Sequence, residues 1–385
     1  MPNVNPSGLS RRSFLEMSAG TIAGMAVLSM PHISFATSSE ITSTSLAKCP
    51  ENPDAAIKLS KMINDGWSRL LNAADSITDT ALSQNVKKVL NDPSMTFMQQ
   101  YDSSSAVQSI YAKLLDNGLI DKNKITAKTL FPPLKNPMKP PQPFITAPGS
   151  GYDSHHAYPG GLVMHTLNNT TIAQGICKSY SNNFLYNVNY NTAIAGEILH
   201  DIAKPWVFQW QPNGASLVEL PIAMTGSHHI FSLAESIYRG FPPDVIVAQA
   251  CAHDHPGTSQ DEALVVGWLK SAAYIAQKDP IKLGLLANNG ETLPLPHKQE
   301  GFIVHLGDHD WVLSVPASQE SAAMLQQIAK KEYGMDNNAM NKIDFNKFRN
   351  YIGSQVSFMC IHHALSQGTD PYQEVLKIVK QIITA

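Results

Sequence analysis

The sequence has few charged residues and few cysteines. Charged side chains make up 15% of the 385 residues, with 28 Lys and Arg against 31 Asp and Glu, whereas 43% of the residues are hydrophobic. This balance excludes disorder of the highly charged kind over most of the chain. Because basic residues are not in excess, nucleic acid as a partner gains no support from charge. Four scattered cysteines exclude a disulfide framework and a cysteine-based zinc knuckle.

Long apolar runs are also missing. After residue 36 no run approaches the roughly 18 apolar residues of a transmembrane helix, so we expect the mature protein to have no membrane anchor. The N-terminus resembles a twin-arginine export signal, although Glu16 stands where that pattern prefers Lys. The matching features are Arg11-Arg12, the following Phe14-Leu15, a weakly apolar stretch from Met17 to Met30, and a small-x-small cleavage signal at Ser34-Phe35-Ala36.

The export resemblance has three consequences. Residues 1–36 are expected to be a signal peptide that is cleaved near Ala36. The twin-arginine translocase is then a transient partner, and the periplasm is the expected location. Proteins that use this route are exported folded, which suits a protein that loads a metal before export.

Hydrophobic periodicity predicts a mostly α protein with one small β-hairpin. Helical spacing over 54–91 and 107–119 is followed by a proline-rich stretch at 132–148, which predicts an extended connector. Asn213-Gly214 predicts a hairpin within 206–220. Further helices are predicted at 160–180, 192–204, 227–239, 243–253, 261–278, 318–333, 344–367 and 370–383. We therefore expect an N-terminal helical region with the connector (37–149), a histidine-bearing domain (150–315) and C-terminal helices packing on it (316–385).

Histidine is the unusual feature of the composition, with 14 in the chain. His200 and Asp201 are adjacent near the end of the predicted 192–204 helix, and Lys204 follows on the same helical face. An imidazole, a carboxylate and an ammonium on an otherwise apolar face are costly to bury unless they pair or bind something. The alternative is an ordinary Asp–Lys surface pair beside a chance histidine.

Other histidines lie near the ends of neighbouring predicted helices. They are His165, His229, His253 and His255. Side chains from the ends of successive packed helices can converge on one site, and clustered histidines raise the expectation of a metal.

The order of these motifs resembles the HD superfamily of metal-dependent phosphohydrolases, and most closely its 3′–5′ exoribonuclease type. The motifs are Gly160-Gly161-Leu162-x-x-His165, Leu199-His200-Asp201-Ile202-x-Lys204, Ser227-His228-His229-Ile230 and the turn His253-Asp254-His255-Pro256-Gly257. The resemblance covers about residues 150–310. It implies an HD-domain-like helical bundle with additional N- and C-terminal helices.

The resemblance also implies roles for individual residues. His165, His200 and Asp201 become ligands of a first metal, and Asp201 and Lys204 become catalytic residues, with Lys204 contacting phosphate. His229 and His253, or His255 in place of His253, become candidates for a second metal or a phosphate contact. His228, His255 and His156 are candidates for a position behind the ligands or beside the substrate.

The last ligand departs from the family pattern. The family places an Asp eight residues after a Glu-Ala pair, but the residue at that offset from Glu262-Ala263 is Lys270. Asp308, at the end of the apolar run that begins at Ile303, is our predicted replacement. If Lys270 instead points into the pocket, its ammonium would take the place of an ion and the protein would be a binder rather than a hydrolase.

Mixed His/Asp ligands suit one or two ions of Mn, Fe, Zn, Ni or Co. Such an ion activates a water and polarises a phosphoryl oxygen, so we expect hydrolysis of a small, nucleotide-like phosphomonoester or phosphodiester. Two alternatives share the ligand pattern. One is a di-iron oxygenase of the HD fold, and the other is a non-catalytic metal-holding binding protein.

Overall fold

Most of the described chain is helical, and several of the helices begin at a residue whose side chain caps them. The computed structural model describes residues 41–297, 299–340 and 343–384, so the predicted export signal lies outside the described residues. Ser60 and Asp79 accept hydrogen bonds from the backbone N–H groups of Ile63 and Leu82, and Asp370 caps the last helix with Pro371 at its first position. The predicted mostly α fold is confirmed.

The helices are, in chain order, α1 (Pro53–Lys58), α2 (Lys61–Asp75), α3 (Thr80–Asn91), α4 (Ser104–Asp116), α5 (Gly161–Phe184), α6 (Tyr190–Leu199), α7 (Lys204–Val207), α8 (Ser227–Arg239), α9 (Pro243–Ala250), α10 (Ser259–Ile275), α11 (Glu300–Asp308), α12 (Trp311–Tyr333), α13 (Asn337–Met340), α14 (Ile343–Leu365, interrupted at Ser357) and α15 (Pro371–Ile382). The strands are β1 (Thr44–Ser45), β2 (Pro221–Ile222), β3 (Thr225–Gly226) and β4 (Ile383–Thr384). Strand β1 pairs in parallel with β4, and β2 pairs in antiparallel with β3.

The predicted hairpin at 206–220 is smaller than expected. The chain does turn at Asn213-Gly214, but the turn is closed by a single bridge between Trp210 and Ser216. The start of the predicted segment is helical instead, because Trp206 belongs to α7. The short antiparallel ladder of β2 and β3 follows directly after this segment.

The predicted 192–204 helix is divided in two. Helix α6 ends at Leu199, a turn follows, and α7 begins at Lys204. Pro205 explains the break, because it has no backbone N–H to continue the helical hydrogen bonds and its ring would clash with the carbonyl of Asp201, four residues earlier. A proline is tolerated in the first turn of a helix, which is where Pro205 lies in α7. His200 and Asp201 therefore lie on a turn at the end of α6 rather than inside a helix.

Four helices pack around this turn. Helix α6 contacts α5, α9 and α11, and α11 also contacts α5 and α9. Residues Thr192–Leu199 of α6 are all buried, because its side chains, apart from that of Glu197, are small or apolar and allow close packing on several sides. Towards the C-terminus α12, α14 and α15 pack on one another, and α14 also contacts α2 and α5. The contacts place the described residues in one compact unit.

The glycine pair before His165 permits a close backbone approach. Gly160 has a φ of 80°, which favours glycine. A Cβ added at Gly161 would lie 1.8 Å from the backbone oxygen of His156. That same oxygen accepts a hydrogen bond from the Gly149 N–H at 2.9 Å. The loop that carries His155 and His156 is thereby held against the start of α5.

Replacing Gly161 with Ala should lower the free energy of unfolding by about 1–3 kcal/mol, because the obstructing atom is a hydrogen-bonded backbone oxygen. Gly175 provides the control, since it is exposed in the same helix and an added Cβ would meet no neighbour there. Its replacement with Ala should raise stability by up to about 1 kcal/mol. Urea unfolding of both variants measures the difference, and equal midpoints would contradict the explanation.

The lengths and compositions of the helices also bear on membrane insertion. Among the described residues, none of the helices combines the length and the apolar character that crossing a bilayer requires.

Candidate metal centre

Three helices bring two imidazoles and two carboxylates together in the interior. His165 comes from the first turns of α5, His200 and Asp201 follow α6, and Asp308 ends α11. All four are buried. The Nε2 atoms of His165 and His200 are 3.4 Å apart, and each lies 3.0 Å from Asp201 Oδ2 and 3.3 Å from Asp308 Oδ1. The structure thus places Asp308 beside the histidines, as expected from the sequence.

A second group adjoins the first through the same carboxylate. His228 Nε2 lies 3.5 Å from the other oxygen of Asp201, Oδ1. His253 Nε2 lies 3.9 Å from Asp308 Oδ2. Potential ligand atoms of Asp201, His228 and His253 are all within 4.8 Å of one another, as are those of His165, His200 and Asp308. Asp201 therefore lies between two groups that are each able to hold an ion.

The outer nitrogens of three histidines have partners that orient their rings. A partner on Nδ1 leaves Nε2 directed at the centre, which is the usual arrangement around a metal. The pairs are His200 Nδ1 donating to the Glu197 backbone oxygen at 2.6 Å, His228 Nδ1 donating to Glu219 Oε2 at 2.8 Å, and His253 Nδ1 lying 2.7 Å from Thr225 Oγ1. On the carboxylate side, Asn169 Nδ2 donates to Asp308 Oδ1 at 2.9 Å.

The charges of the centre stabilise one another. Burial alone would raise the pKa of Asp201, but His200 and Lys204 hold it well below its usual value. Burial would likewise raise the pKa of Asp308, and His200 and His165 keep it low. The two carboxylates in turn raise the pKa of His200 well above its usual value, against the effect of burial. Both aspartates are therefore anionic at neutral pH.

The residues present fit a metal ion. Neither carboxylate oxygen of Asp201 accepts a hydrogen bond of acceptable geometry from any described group. Nitrogen atoms of His165, His200 and Lys204 nevertheless all lie within 3.0 Å of Asp201 Oδ2. Buried carboxylate oxygens rarely lack hydrogen bonds. A cation binds where several lone pairs point to one place and accept no hydrogen bonds. A donor set of imidazoles and carboxylates suits transition metals.

Lys204 is a buried cation at this centre. Its Nζ lies 2.5 Å from Asp201 Oδ2, donates to the Gly149 backbone oxygen at 2.5 Å, and lies 3.5 Å from His155 Nε2. The side chain is only 2% exposed. Even though α6 ends before it, Lys204 still reaches Asp201 as the spacing predicted.

A cavity of about 310 Å³ opens beside the ligands. Ligand side chains and Lys204 form one part of its wall, and apolar side chains form another. The lining residues are Ser154, His155, Lys204, His228, His253, Asp308, Trp311 and Val315. The Trp311 side chain is 46% exposed and stands at the first position of α12. Helix α12 begins at this residue rather than at 318 as predicted.

His229 does not face the centre, contrary to the prediction. Its Nε2 lies 3.1 Å from the Ala250 backbone oxygen, and its ring meets Trp268 edge-on. Burial lowers the pKa of His229 to about 3, with His228 adding to the effect. Its ring stacks on that of His253 at 4.1 Å, so it supports that side chain from behind. The adjacent His228 takes the predicted place, because neighbouring positions on a helix point about 100° apart.

The loop before α5 also separates two adjacent histidines. His156 is buried, and its Nε2 lies 3.0 Å from Asp310 Oδ2, which places it behind the centre. His155, which was not among the residues expected from the sequence, lines the cavity instead. Burial lowers the pKa of His155 well below its usual value, and Lys204 adds to this, so its ring is neutral.

His255 and Lys270 lie apart from the centre. His255 groups with Asp254 and His305 rather than with the central ligands. Lys270 Nζ donates to Glu291 Oε1 at 2.9 Å and lines a different cavity. The alternative in which Lys270 replaces an ion in the pocket is therefore wrong.

Sequence reasoning missed Asn169, Glu219, His155 and Trp311. A signal was available for Asn169, which follows His165 by four residues and so shares its helical face. Glu219 and Trp311 approach the site from regions whose predicted secondary structure was inaccurate, and nothing in their local sequence marked them.

Comparison with known proteins shows a likeness to a phosphodiesterase. The chain is 31% identical over 161 residues to the dihydroneopterin 2',3'-cyclic phosphate phosphodiesterase of Methanocaldococcus jannaschii. The match covers 39% of this chain and 64% of that protein, so the chain spans slightly less than two thirds of the relative's length. No family model and no solved structure matches the sequence. Together with the His/Asp groups, this likeness supports a metal-dependent phosphohydrolase.

Proposed function

We propose that this protein is a metal-dependent phosphodiesterase that hydrolyses a small cyclic phosphate. The observation that carries the proposal is the buried Asp201 carboxylate between two groups of imidazoles, with the Lys204 ammonium 2.5 Å away. Two adjacent cation sites that share a carboxylate suit an in-line displacement at phosphorus. The likeness to a cyclic phosphate phosphodiesterase supports the same class of substrate.

The side chains divide into holding, charge-balancing and orienting roles. His165, His200 and Asp308 would hold one ion, and His228 and His253 a second, with Asp201 between them. Ions held in these positions would supply a nucleophilic water at neutral pH and a Lewis acid for the phosphoryl group. Lys204 lines the cavity and stabilises negative charge on the non-bridging oxygens as the ester bond breaks. The neutral His155 ring, 3.5 Å from that ammonium, helps to position it.

The shape of the cavity favours a small substrate with a flat ring. A volume of about 310 Å³ suits a small molecule rather than a polymer. Trp311 and Val315 line it together with polar groups, and a partly exposed indole is a stacking surface for a heterocycle. We therefore expect a cyclic phosphate that carries a planar ring, such as a pterin or a nucleobase.

The direct test is hydrolysis by metal-loaded protein. Protein is stripped with a chelator and reloaded separately with Mn, Fe, Co, Ni or Zn. The reloaded protein should hydrolyse a 2',3'-cyclic nucleotide to a phosphomonoester, and phosphorus NMR measures this conversion. The stripped protein should be inactive. Absence of hydrolysis with every metal would reject the proposal. Oxygen consumption by the iron-loaded protein in place of hydrolysis would favour the oxygenase alternative.

Trp311 should determine preference for the ring. Changing Trp311 to Ala removes the stacking surface, which is worth roughly 1–3 kcal/mol per base in nucleic-acid complexes, and should raise KM about tenfold or more for the cyclic nucleotide. KM for a cyclic glycerol phosphate, which has no ring, should stay within about twofold. The Phe variant should retain most of the preference. Equal effects of the Ala variant on both substrates would contradict a stacking role.

We also propose that the protein reaches the periplasm by the twin-arginine route, on the basis of Arg11-Arg12 and the following apolar stretch. Changing both arginines to Lys should leave uncleaved precursor in the cytoplasm, detected by fractionation and immunoblotting. Periplasmic delivery that is unchanged in this variant, or in cells without the translocase, would reject the route.

A further inference from the structure

A second set of metal-binding side chains lies outside the centre described above. Potential ligand atoms of Asp254, His255 and His305 are all within 4.8 Å of one another. These side chains are partly exposed, and none of them belongs to the two central groups. The resemblance offered His255 as an alternative to His253, which the structure places at the centre instead, and the proposed reaction gives none of the three a role.

Local contacts leave ring nitrogens free to bind. His305 Nδ1 lies 3.1 Å from the Ala252 backbone oxygen, so its Nε2 is the atom left to face a ligand. The His255 ring lies 4.7 Å from that of His305. Its Nδ1 is buried and has no hydrogen-bond partner among the described residues, an arrangement that is costly unless something binds there.

A further histidine lies beside this set, although its ligand atoms fall outside the 4.8 Å grouping of the other three residues. His309 follows His305 by four residues, and the two rings are 4.2 Å apart. His309 Nδ1 donates to the His305 backbone oxygen at 2.7 Å, which leaves Nε2 as its available nitrogen. Three imidazoles and one carboxylate form a complete ligand set for a tetrahedral transition-metal site.

We propose that Asp254, His255, His305 and His309 bind a further divalent transition metal, separate from the central ions. Histidine-rich sites prefer Zn, Cu, Ni and Co over Mg and Ca. The site would join the segment after α9 to the end of α11. These are the segments that also supply His253 and Asp308 to the centre, so an ion bound here stabilises the elements that carry two central ligands.

Metal counting tests the proposal. Wild-type protein and the variants His255→Ala and His305→Ala are equilibrated with Zn²⁺, dialysed and analysed by inductively coupled plasma mass spectrometry. Each variant should hold one ion fewer than the wild type, while His200→Ala should lose central metal and keep this ion. Added Zn²⁺ should also raise the melting temperature of His200→Ala, because binding stabilises the folded state, and this rise should be absent when His305→Ala is added.

The control is His363→Ala, which removes an exposed histidine of α14 and should leave the count unchanged. Loss of one ion is required in both His255→Ala and His305→Ala, so misfolding of one variant cannot imitate the result. If both variants hold as much zinc as the wild type, or if both lose every ion, the separate site is rejected. Either result is independent of whether the protein hydrolyses a cyclic phosphate.

Discussion

Replacing Asp201 with Asn should reduce kcat/KM for a cyclic phosphate by at least about 10³-fold. The variant keeps the size of the side chain but loses the charge that lies between the two groups of histidines. Lewis-acid stabilisation of the transition state is worth several kcal/mol, and each 1.36 kcal/mol corresponds to about tenfold in rate. Elemental analysis should show that bound metal falls together with activity.

Asp116→Asn is the matched control, because Asp116 is exposed at the end of α4 and its replacement makes the same chemical change away from the site. It should behave as the wild type in both measurements. The Asp201→Asn variant leaves Lys204 buried beside a neutral side chain, which could destabilise the fold. Circular dichroism is therefore used to check that this variant is folded. Full metal content in a folded Asp201→Asn protein would reject the ligand assignment.

Replacing Lys204 with Met should produce a different defect. The variant fills similar space without the ammonium, so kcat/KM should fall by about 10²–10³-fold, the usual effect of removing one group that stabilises charge in the transition state. Bound metal should stay close to the wild-type level, because Lys204 donates hydrogens and offers no lone pair to an ion. Steady-state kinetics and elemental analysis on the same preparation separate this result from that of Asp201→Asn.

Lys88→Met provides the control for the lost charge, since Lys88 is exposed on α3. A Lys204→Met protein that keeps its metal and its full activity would show that Lys204 only neutralises Asp201. Loss of metal in that variant would instead place the lysine in the support of the ligands.

Several elements were predictable because the local sequence and the packing agree. Helix α8 has its predicted bounds of 227–239, with Gly240 at its C-terminal end in left-handed geometry. The grouping of His165 with His200 and Asp201 follows the motif order. For the last carboxylate, the sequence left a choice between the offset occupied by Lys270 and the run ending at Asp308. The packing of α11 on α5 and α6 brings Asp308 to the centre.

The choice between adjacent histidines was not predictable, because it depends on how each helix or loop is rotated against its neighbours. His229 contacts Trp268 and the Ala250 carbonyl, and that rotation turns His228 to Asp201. His155 lines the cavity while His156 lies behind the centre for a similar reason, since Asp310 of a distant segment pairs with His156. Contacts between residues that are far apart in the sequence produce no periodic sequence pattern from which they could be predicted.

The parallel pairing of β1 with β4 has a consequence for the order of folding. Thr44 is in register with Ile383, and Thr42 is held by hydrogen bonds to Gln355 and Tyr351. In a chain emerging from the ribosome, the backbone groups of Thr42 meet these partners only after α14 has been made, and β1 meets its partner strand only after β4 has been made. Residues 42–45, which follow the proposed signal peptide, are therefore among the last of the described residues to reach their native positions. They can do so only after the C-terminal helices have been synthesised.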